Sequence, residues 1–430
     1  MESDEIGKPL EQTTSSIHSL IRKITPSPCT SQRSSTSSRR ERIPDKPRSG
    51  SLSLWGFLKN CIGKDLSQIS QPINFSEPLS LLQRLTEELE YSELLDKAAS
   101  CSCPYEQLAY LAVFIVAGYS GCTRITKPFN PLLGETFEFD RTADLGWRVI
   151  SEQISHHPPV AAHHCEGKGW ILWQEFTFET RFTGNDIQVT PCGEANVEFQ
   201  EGNCFKWNKI ITTVHNFLIG SSWVDHQGVV EVIGKNNTEG IICNLDFIPY
   251  GGSSLRRIIK SEMRRVKGQV SDANGVTKWK IEGNCDEEVR ITAVLSEEKE
   301  TMILDEPRIA WKSNVLPEGS ENYYSFSKFA CQLNEPEDGV APTDSRLRPD
   351  QRFMEEGKWD EANQEKTRLE EKQRRVIRER LELEDEEMKY YHPIWFHPFL
   401  KEDGSRIHKF NGNYWKSKEQ QDWSKCPDIF

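Results

Sequence analysis

The first strong pattern along the chain is a helical one, in the run SLSLWGFLKNCIGKDLSQI at residues 51–69. Apolar residues recur there at i+4 spacing and Trp55 stands beside them, which predicts an amphipathic helix over residues 52–69. The apolar stripe consists of Leu54, Leu58, Ile62 and Leu66. Such a stripe is typical of a helix packed on a core, and it also suits a movable flap or a helix lying on a membrane surface. The residues alone leave these alternatives open.

Two further helical stretches follow, from about Leu79 to Ala99 and from Tyr105 to Gly118, so helices are expected over residues 79–118. The most apolar run of the chain, Leu108 to Gly118, is eleven residues long. A helix needs roughly 20 residues to cross a bilayer, so this run predicts a buried helix. Any membrane contact is then expected to be peripheral.

Between about residues 135 and 335 the pattern changes to an alternation with a period of two. In the run from Trp170 to Phe182, Phe176 and Phe178 share one face. Similar runs recur, separated by turn sequences such as Thr183 to Asp186 and Asp272 to Gly275. About 200 residues of meandering strands predict a large antiparallel sheet, closed at least partly into a barrel over residues 119–335 around a ligand cavity. The fold class is therefore mainly β with flanking helices (α+β).

Residues 349–389 form a highly charged stretch that predicts one long exposed helix. Lys366, Glu370 and Arg374 stand at i, i+4 and i+8, so they form one stripe over roughly 12 Å. Such a stripe is usually a solvated face. At the mouth of a pocket, however, the two bases would bind phosphate while the acid holds them in place. The aromatic tail from His392 is expected to dock back on the body.

Composition divides the chain into a tail and one domain. Residues 1–50 are rich in Ser, Thr, Arg and Pro and cannot bury enough apolar surface to order themselves, so we expect disorder there. Residues 51–430 are expected to form one domain. The formal net charge of −13 argues against nucleic acid as a partner.

The cysteines and the N-terminus indicate a cytosolic protein. The twelve cysteines are scattered without a CxxC pair, which favours reduced thiols rather than a zinc ribbon or disulfides. The N-terminus, MESDEIGK, is acidic and is not followed by the apolar run of a secretory signal. We expect a monomer in the cytosol, transiently on organelle membranes.

The most unusual tetrapeptide is His156-His157-Pro158-Pro159, in which two prolines hold the backbone extended. His163, His164 and Cys165 follow closely, so a metal or catalytic role has to be weighed. The sequence has no HExxH motif and no finger-type spacing of Cys and His. Packing, anion binding and metal binding stay open here, in that order.

Two other segments carry donors for an anion. The loop KPFNPLLGE at residues 127–135 offers the ammonium of Lys127 and the amide of Asn130, or it is simply a turn that ends the helical region. A basic run could contact anionic lipid or could equally well form a solvated loop. This run contains Arg256, Arg257, Lys260, Arg264, Arg265 and Lys267.

Several of these segments together resemble one family. SEQISHHPP at residues 151–159 is similar to the EQVSHHPP signature of the oxysterol-binding protein-related family, and KPFNPLLGETFE resembles its other hallmark loop. FKWNKI, APTDSRLRPDQR and the WSKCPDIF ending also fit, in the family's order. The resemblance runs from about residue 53 to residue 430. Within the family the chain looks most similar to short members of the subgroup that contains oxysterol-binding protein-related proteins 1 and 2.

The resemblance implies an incomplete β-barrel around an apolar tunnel, closed by an N-terminal lid at residues 52–69. Members of the family carry a sterol, or in some branches phosphatidylserine, and exchange it for a phosphoinositide without enzymatic chemistry or a cofactor. By the family's pattern the phosphoinositide head contacts the positions matching Lys127, His156, His157, Lys366 and Arg374. Glu370 fits the supporting acid and Asn130 a further contact.

Two other functions fit the same residues. A lipid-gated sensor or scaffold would bind the same lipids without net transport, and sequence cannot separate it from a transporter. A metal-dependent hydrolase built on the histidines is the third class. The sequence does not specify which phosphoinositide is bound or which membranes are contacted.

Overall fold

The computed structural model describes residues 39–47, 73–217, 221–248, 264–298, 301–383, 385, 390–401 and 404–430. The predicted lid, with Leu54, Trp55, Leu58, Ile62 and Leu66, lies outside the described residues. The same holds for Arg256, Arg257 and Lys260 of the basic run.

A single antiparallel sheet of fifteen strands dominates the molecule. Most of its strands pair with the next strand along the chain, so the sheet is largely a meander. The strands are β3 (Thr136–Arg141), β4 (Trp147–His156), β5 (Pro159–Gly167), β6 (Trp170–Phe182), β7 (Ile187–Cys192), β8 (Ala195–Phe199), β9 (Asn203–Trp207), β10 (Ile211–His215), β11 (Trp223–Asn236), β12 (Ile242–Ile248), β13 (Arg265–Ser271), β14 (Thr277–Asn284), β15 (Glu288–Glu298), β16 (Thr301–Leu304) and β17 (Arg308–Lys312).

Two long strands of this meander are interrupted midway. β7 and β8 both pair with β6, and β10 and β9 both pair with β11. Each pair of short strands therefore occupies the place of one long strand. At the interruption between β7 and β8, Gly193 has φ +107°, which other residues rarely adopt.

The sheet curls but does not close. Among the described residues, the first strand, β3, is not paired with β16 or β17 at the other edge. β3 instead makes an isolated parallel bridge from Thr136 to Asp344. The predicted fold class, mainly β with flanking helices around an incomplete antiparallel barrel, is confirmed. Two smaller pairings lie outside this sheet: β1 (Ser76–Ser80) with β2 (Lys127–Phe129), and β18 (Phe396–Leu400) with β19 (Arg406–Phe410).

Seven α-helices flank the sheet in the described part of the chain: α1 (Leu81–Thr86), α2 (Glu93–Ser100), α3 (Pro104–Ala117), α4 (Lys328–Gln332), α5 (Pro349–Glu355), α6 (Trp359–Leu381) and α7 (Tyr414–Gln420). α3 is apolar on nearly all sides, and it is buried against β12, β13, β14 and β17. No helix in these described ranges has both the length and the apolar character that crossing a bilayer demands.

Two predicted helices are divided in the structure. The helix expected over residues 79–99 begins only at Leu81, because Ser80 and Gln83 form a capping box. A 3-10 turn at residues 87–91 then separates α1 from α2. The charged helix expected over residues 349–389 is broken between α5 and α6, where Gly357 has φ +77°. Gly357 is a local signal for the second break, but the charged pattern on both sides of it predicted a continuous helix.

The expectation of disorder over residues 1–50 is wrong for the described residues 39–47, which dock on the body. The Arg40 guanidinium donates to both carboxylate oxygens of Glu355, at 2.7 and 2.9 Å. Ile43 is 3% exposed and joins the main core. The Lys46 amide donates to the Asn322 carbonyl at 2.9 Å. A short segment therefore orders because one apolar side chain and one bidentate ion pair anchor it.

Candidate functional site

A cavity of about 280 Å³ lies between the curled sheet and the helices that precede it. Its sheet side is built from alternate residues of β6, β7, β10 and β11, which point inward because successive side chains of a strand face opposite sides. These lining residues are largely apolar and include Phe176, Phe178, Ile187, Val189, Val214 and Val224. The structure thus places an apolar chamber where the sequence predicted a ligand cavity.

The opposite side of the cavity is charged. Arg124 donates to Glu77 at 3.0 Å and to Glu87 at 2.6 Å, and Arg84 donates to Glu77 at 2.6 Å. Burial by itself raises the pKa of Glu77, but Arg124 and Arg84 overcome that effect and hold the pKa at about 2. The charges therefore compensate one another, and the cluster ties β1 and α1 to the segment that leads into β2.

The loop at residues 127–135 forms one end of the cavity. Lys127 lies in β2 opposite Ser76, and both Lys127 and Asn130 line the cavity. The backbone of this loop is held from behind by Arg348, which donates to the Asn130 carbonyl at 2.7 Å and to Glu135 at 3.0 Å. The loop is therefore a fixed element that borders both the cavity and the buried ion cluster.

The histidine pair lies against the same loop. His156 is the last residue of β4 and pairs with Pro159 across the turn, while His157 is exposed within it. The ring centroids of the two histidines are 4.6 Å apart. The Pro131 carbonyl accepts a hydrogen bond from His156, whose Nδ1 is buried without a partner. Burial, and then the neighbouring His157, lowers the pKa of His156 to about 4, so the ring is neutral at pH 7.

The third contributor is helix α6, which carries the predicted charge stripe. The Lys366 ammonium lies 2.5 Å from one Glu370 oxygen, and the Arg374 guanidinium lies 3.1 Å from the other. Glu370 also acts on His156 electrostatically and favours its protonated form. The helix joins the loop where Gln373 accepts a hydrogen bond from the Leu133 amide at 2.8 Å.

The structure therefore brings together three stretches that are far apart in the sequence. The loop at residues 127–135 is their common contact: His156 reaches Pro131, Gln373 reaches Leu133, and Arg348 reaches Asn130. The resulting cluster contains all seven residues predicted to contact a phosphorylated head: Lys127, Asn130, His156, His157, Lys366, Glu370 and Arg374. It adjoins the end of the cavity lined by Lys127 and Asn130.

The prediction of a membrane-surface basic patch is wrong for Arg264. This residue is 4% exposed, pairs with Asp286 at 2.6 Å and donates to the Tyr119 carbonyl at 2.7 Å. A guanidinium held inside the protein by two partners cannot contact a membrane. Arg265, the first residue of β13, is exposed. Arg264 lies in a turn with φ +54°, immediately before the strand begins, and the run of bases in the sequence did not reveal this boundary.

The two histidines that follow the pair in the sequence contact partners within the protein. His163 is buried in β5 and hydrogen-bonds through Nδ1 to the Ser151 hydroxyl at 2.8 Å. His164 stacks on Phe410 and lies 3.3 Å from Glu166. Among the side chains that the structure describes, no group of three His, Cys, Asp or Glu is placed to hold a metal ion.

Sequence reasoning missed the residues that hold the cluster in place. Glu152, within the SEQISHHPP segment, accepts hydrogen bonds from the Tyr391 hydroxyl at 2.7 Å and from the amides of Ile394 and Trp395 at 2.8 and 2.9 Å. It thereby fastens the C-terminal tail to the strand that carries the histidines. Arg348 was not singled out either. Its position in the charged APTDSRLRPDQR segment was a signal, but its partner Glu135 is 213 residues away.

The sequence of the chain is similar to those of known proteins. Residues 53–419 match the family model described as oxysterol-binding protein. Oxysterol-binding protein 2 of Mus musculus is 47% identical over 411 residues, covering 91% of this chain and 44% of that protein. Oxysterol-binding protein-related protein 1B of Arabidopsis thaliana is 38% identical, covering 91% of this chain and 77% of that protein. The chain thus spans less than half the length of the mouse relative.

Solved structures share the fold. The Osh1 ORD domain in complex with cholesterol superposes with a TM-score of 0.82 at 34% identity, covering 92% of this chain and 95% of that chain. The Osh3 ORD from Saccharomyces cerevisiae in complex with PI(4)P superposes with a TM-score of 0.75 at 28% identity, covering 91% of this chain and 99% of that chain. Both likenesses extend over the barrel and the helices around it.

Proposed function

The chain belongs to the oxysterol-binding protein family, and from this premise we propose that it is a non-enzymatic lipid-transfer protein that exchanges a sterol for a phosphoinositide between membranes. Membership of the family confirms the resemblance found in the sequence. Placement in the subgroup of oxysterol-binding protein-related proteins 1 and 2 stays a prediction.

One observation carries the proposal: an apolar cavity ends at a cluster of side chains that can donate hydrogen bonds to a phosphate. A lipid in transit must have its apolar body removed from water, which is favourable by about 25 cal/mol per Å². The chamber lined by β6, β7, β10 and β11 offers such an environment. The charged head then needs fixed hydrogen-bond donors beside the opening of the cavity. Lys127 and Asn130 line the cavity and also belong to the cluster of seven residues.

We propose that the cluster of seven residues binds the phosphorylated head. Lys366 and Arg374 supply charge, and Glu370 orients both through its two oxygens. His156 has a buried Nδ1 without a partner. This nitrogen would donate to a phosphate oxygen once the negative charge of the head protonates the ring. The Osh3 ORD solved with PI(4)P and the Osh1 ORD solved with cholesterol support the two ligand classes. Because both ligands would use one cavity, their binding is mutually exclusive and exchange follows the lipid gradients.

The head-group assignment is tested with a double variant, His156→Ala and His157→Ala. Purified protein is mixed with liposomes that contain cholesterol or a phosphoinositide, and the lipid extracted into solution is measured. We expect the variant to lose phosphoinositide extraction and to keep cholesterol extraction, because the histidines contact only the head. His397→Ala, at an exposed histidine of β18, is the matched control and should extract both lipids. Phosphoinositide extraction by the double variant would contradict the assignment.

Net transport is tested separately from binding. Cholesterol is followed from donor to acceptor liposomes, with phosphoinositide placed in the acceptor population only. An exchanger moves cholesterol faster when the acceptor contains phosphoinositide, whereas a sensor or scaffold binds both lipids and moves neither. Repeating the measurement with phosphatidylserine in place of cholesterol decides between the two proposed cargoes.

A further inference from the structure

The sheet wall of the cavity contains a polar side chain in an apolar stretch. Ile210, Thr212 and Val214 alternate at the start of and along β10, and all three line the cavity. On the adjacent strand, β11, Val224 lines the cavity as well. Thr212 is half-buried in this apolar wall, where a hydroxyl without a hydrogen-bond partner is costly.

The orienting partner is His226, the residue directly opposite Thr212 on β11. The Thr212 hydroxyl oxygen lies 3.0 Å from Nδ1 of His226. His226 is 2% exposed, and its ring centroid lies 4.8 Å from that of Tyr119, another lining residue. The imidazole is thus fixed by a ring contact and a cross-strand hydrogen bond, and it fixes the threonine rotamer in turn.

The Thr212–His226 pair is uncharged at neutral pH. Burial, and then the nearby Arg264 guanidinium, holds the pKa of His226 well below its usual range. Thr212 and His226 lie on one face of the sheet. Thr213 and Asp225 lie on the opposite face, because successive side chains of a strand alternate. An uncharged pair in an apolar wall suits an uncharged polar group, since an ion placed there would lose its hydration without a counter-charge.

The hydrogen-bonding capacity of the Thr212 hydroxyl determines which ligand group it could bind. A hydroxyl has one donor and two acceptor sites, and the contact with His226 uses one of these three. In one tautomer of His226 the threonine can still accept, and in the other it can both donate and accept. A ligand hydroxyl, which also donates and accepts, matches either state.

We propose that Thr212, held by His226, is the hydrogen-bond partner of the hydroxyl of a free sterol in this cavity. This inference rests on the proposed function and deepens it, because it assigns sterol selectivity to a named pair. The apolar neighbours Ile210, Val214 and Val224 contact the sterol body, while the pair distinguishes a sterol alcohol from the corresponding hydrocarbon.

The test compares Thr212→Val with the parent chain on two ligands that differ by one group, cholesterol and 5-cholestene, each offered in liposomes of the same phosphatidylcholine. Valine keeps the shape of threonine and removes the hydroxyl. We expect cholesterol extraction to weaken about two- to tenfold, the effect of one neutral hydrogen bond. Extraction of 5-cholestene and of phosphoinositide should stay unchanged, since neither uses the pair.

Two further variants keep the result unambiguous. Thr212→Ser restores a hydroxyl and should recover the preference for cholesterol. Thr180→Val makes the same change at a lining residue of β6 and should leave that preference intact. Equal weakening for both sterols, or loss of the preference in Thr180→Val instead, would overturn the assignment of Thr212. If the parent chain extracts neither sterol, the proposed function itself fails.

Discussion

Two charged clusters flank the loop at residues 127–135, and they differ in how their charges are satisfied. Behind the loop, Arg348 is buried between Glu135 and Asp350 and donates to both. In front of it, the Lys366–Glu370–Arg374 stripe lies on a helix, and Arg374 is 61% exposed. Burial therefore separates two uses of the same residue types: the buried cluster positions the loop, whereas the more exposed one is proposed to exchange its ion pairs for a ligand.

The largest effect is expected from Arg348→Met. The substitution leaves two carboxylates inside the protein without their cation, which typically costs about 3–5 kcal/mol. The free energy of unfolding, from urea titration followed by tryptophan fluorescence, should fall by that amount. Arg374→Met is the control, because exposed ion pairs contribute about 0–1 kcal/mol. Similar losses for the two variants would break the distinction between the clusters.

The next effect concerns ligand binding. Replacing Lys366 and Arg374 together by Ala removes two charge-assisted donors, each worth about 1.5–3 kcal/mol when it meets a charged group. We expect phosphoinositide extraction to weaken by about a hundredfold or more, while unfolding by urea shifts little. Exposed Arg375, paired with Glu379 at 3.9 Å on the same helix, offers the matched control Arg375→Ala. Unchanged extraction by the double variant would remove the stripe from the head-group site.

A fall in pH should destabilise the fold through His156 and His163, two histidines of β4 and β5 whose burial disfavours the protonated ring. Burial lowers the pKa of His163 to about 3, and burial with His157 lowers that of His156 to about 4, against about 6.5 in an unfolded chain. Between these values the unfolded chain binds protons that the folded one does not, so stability present above pH 6.5 is lost as the pH falls toward 4. Urea midpoints from pH 7 to 4.5 measure this loss, and His163→Gln should reduce the slope. A slope unaffected by that change would exclude His163 as a cause.

The smallest effect is expected from Tyr391→Phe. The change deletes one of three hydrogen bonds to Glu152, a buried carboxylate satisfied by neutral donors rather than by an arginine. The loss should be about 1 kcal/mol in the free energy of unfolding. Its neighbour Tyr390 is 71% exposed, so Tyr390→Phe is expected to change stability by less than about 0.5 kcal/mol. Equal effects of the two would contradict the role of the hydroxyl.

Local patterns predicted much of the barrel. The alternation from Trp170 to Phe182 is β6 over the same residues, and the predicted turns at Thr183–Asp186 and Asp272–Gly275 join β6 to β7 and β13 to β14. These features depend on neighbours in the sequence. The break at residues 87–91 was missed because that stretch consists of good helix formers, and packing decides where the helix ends. At Gly357 the sequence did contain a signal for a helix end, but the charged pattern on both sides of it predicted a continuous helix.

For the candidate site, motif resemblance supplied the residues and their order but not their supports. It named His156, His157 and Lys127, yet Glu135 and Arg348 appeared only as parts of longer motifs. The basic run showed the same limit, since Arg264 and Arg265 are adjacent in sequence and only the second is exposed. Which of the two bases is exposed depends on where β13 begins and on the partners that hold Arg264, Asp286 and the Tyr119 carbonyl, and a run of like charges specifies neither.

By itself the sequence determined the class of the fold, the strand alternation and the residue types of the proposed phosphate site. Only the tertiary structure decided that the loop at residues 127–135 is the place where His156, Gln373 and Arg348 converge. It also decided that Thr212 meets His226 inside the cavity. The reason is physical: periodicity and composition follow from neighbours along the chain, whereas charge compensation and hydrogen-bond partnership depend on contacts between residues that the folded sheet alone brings together.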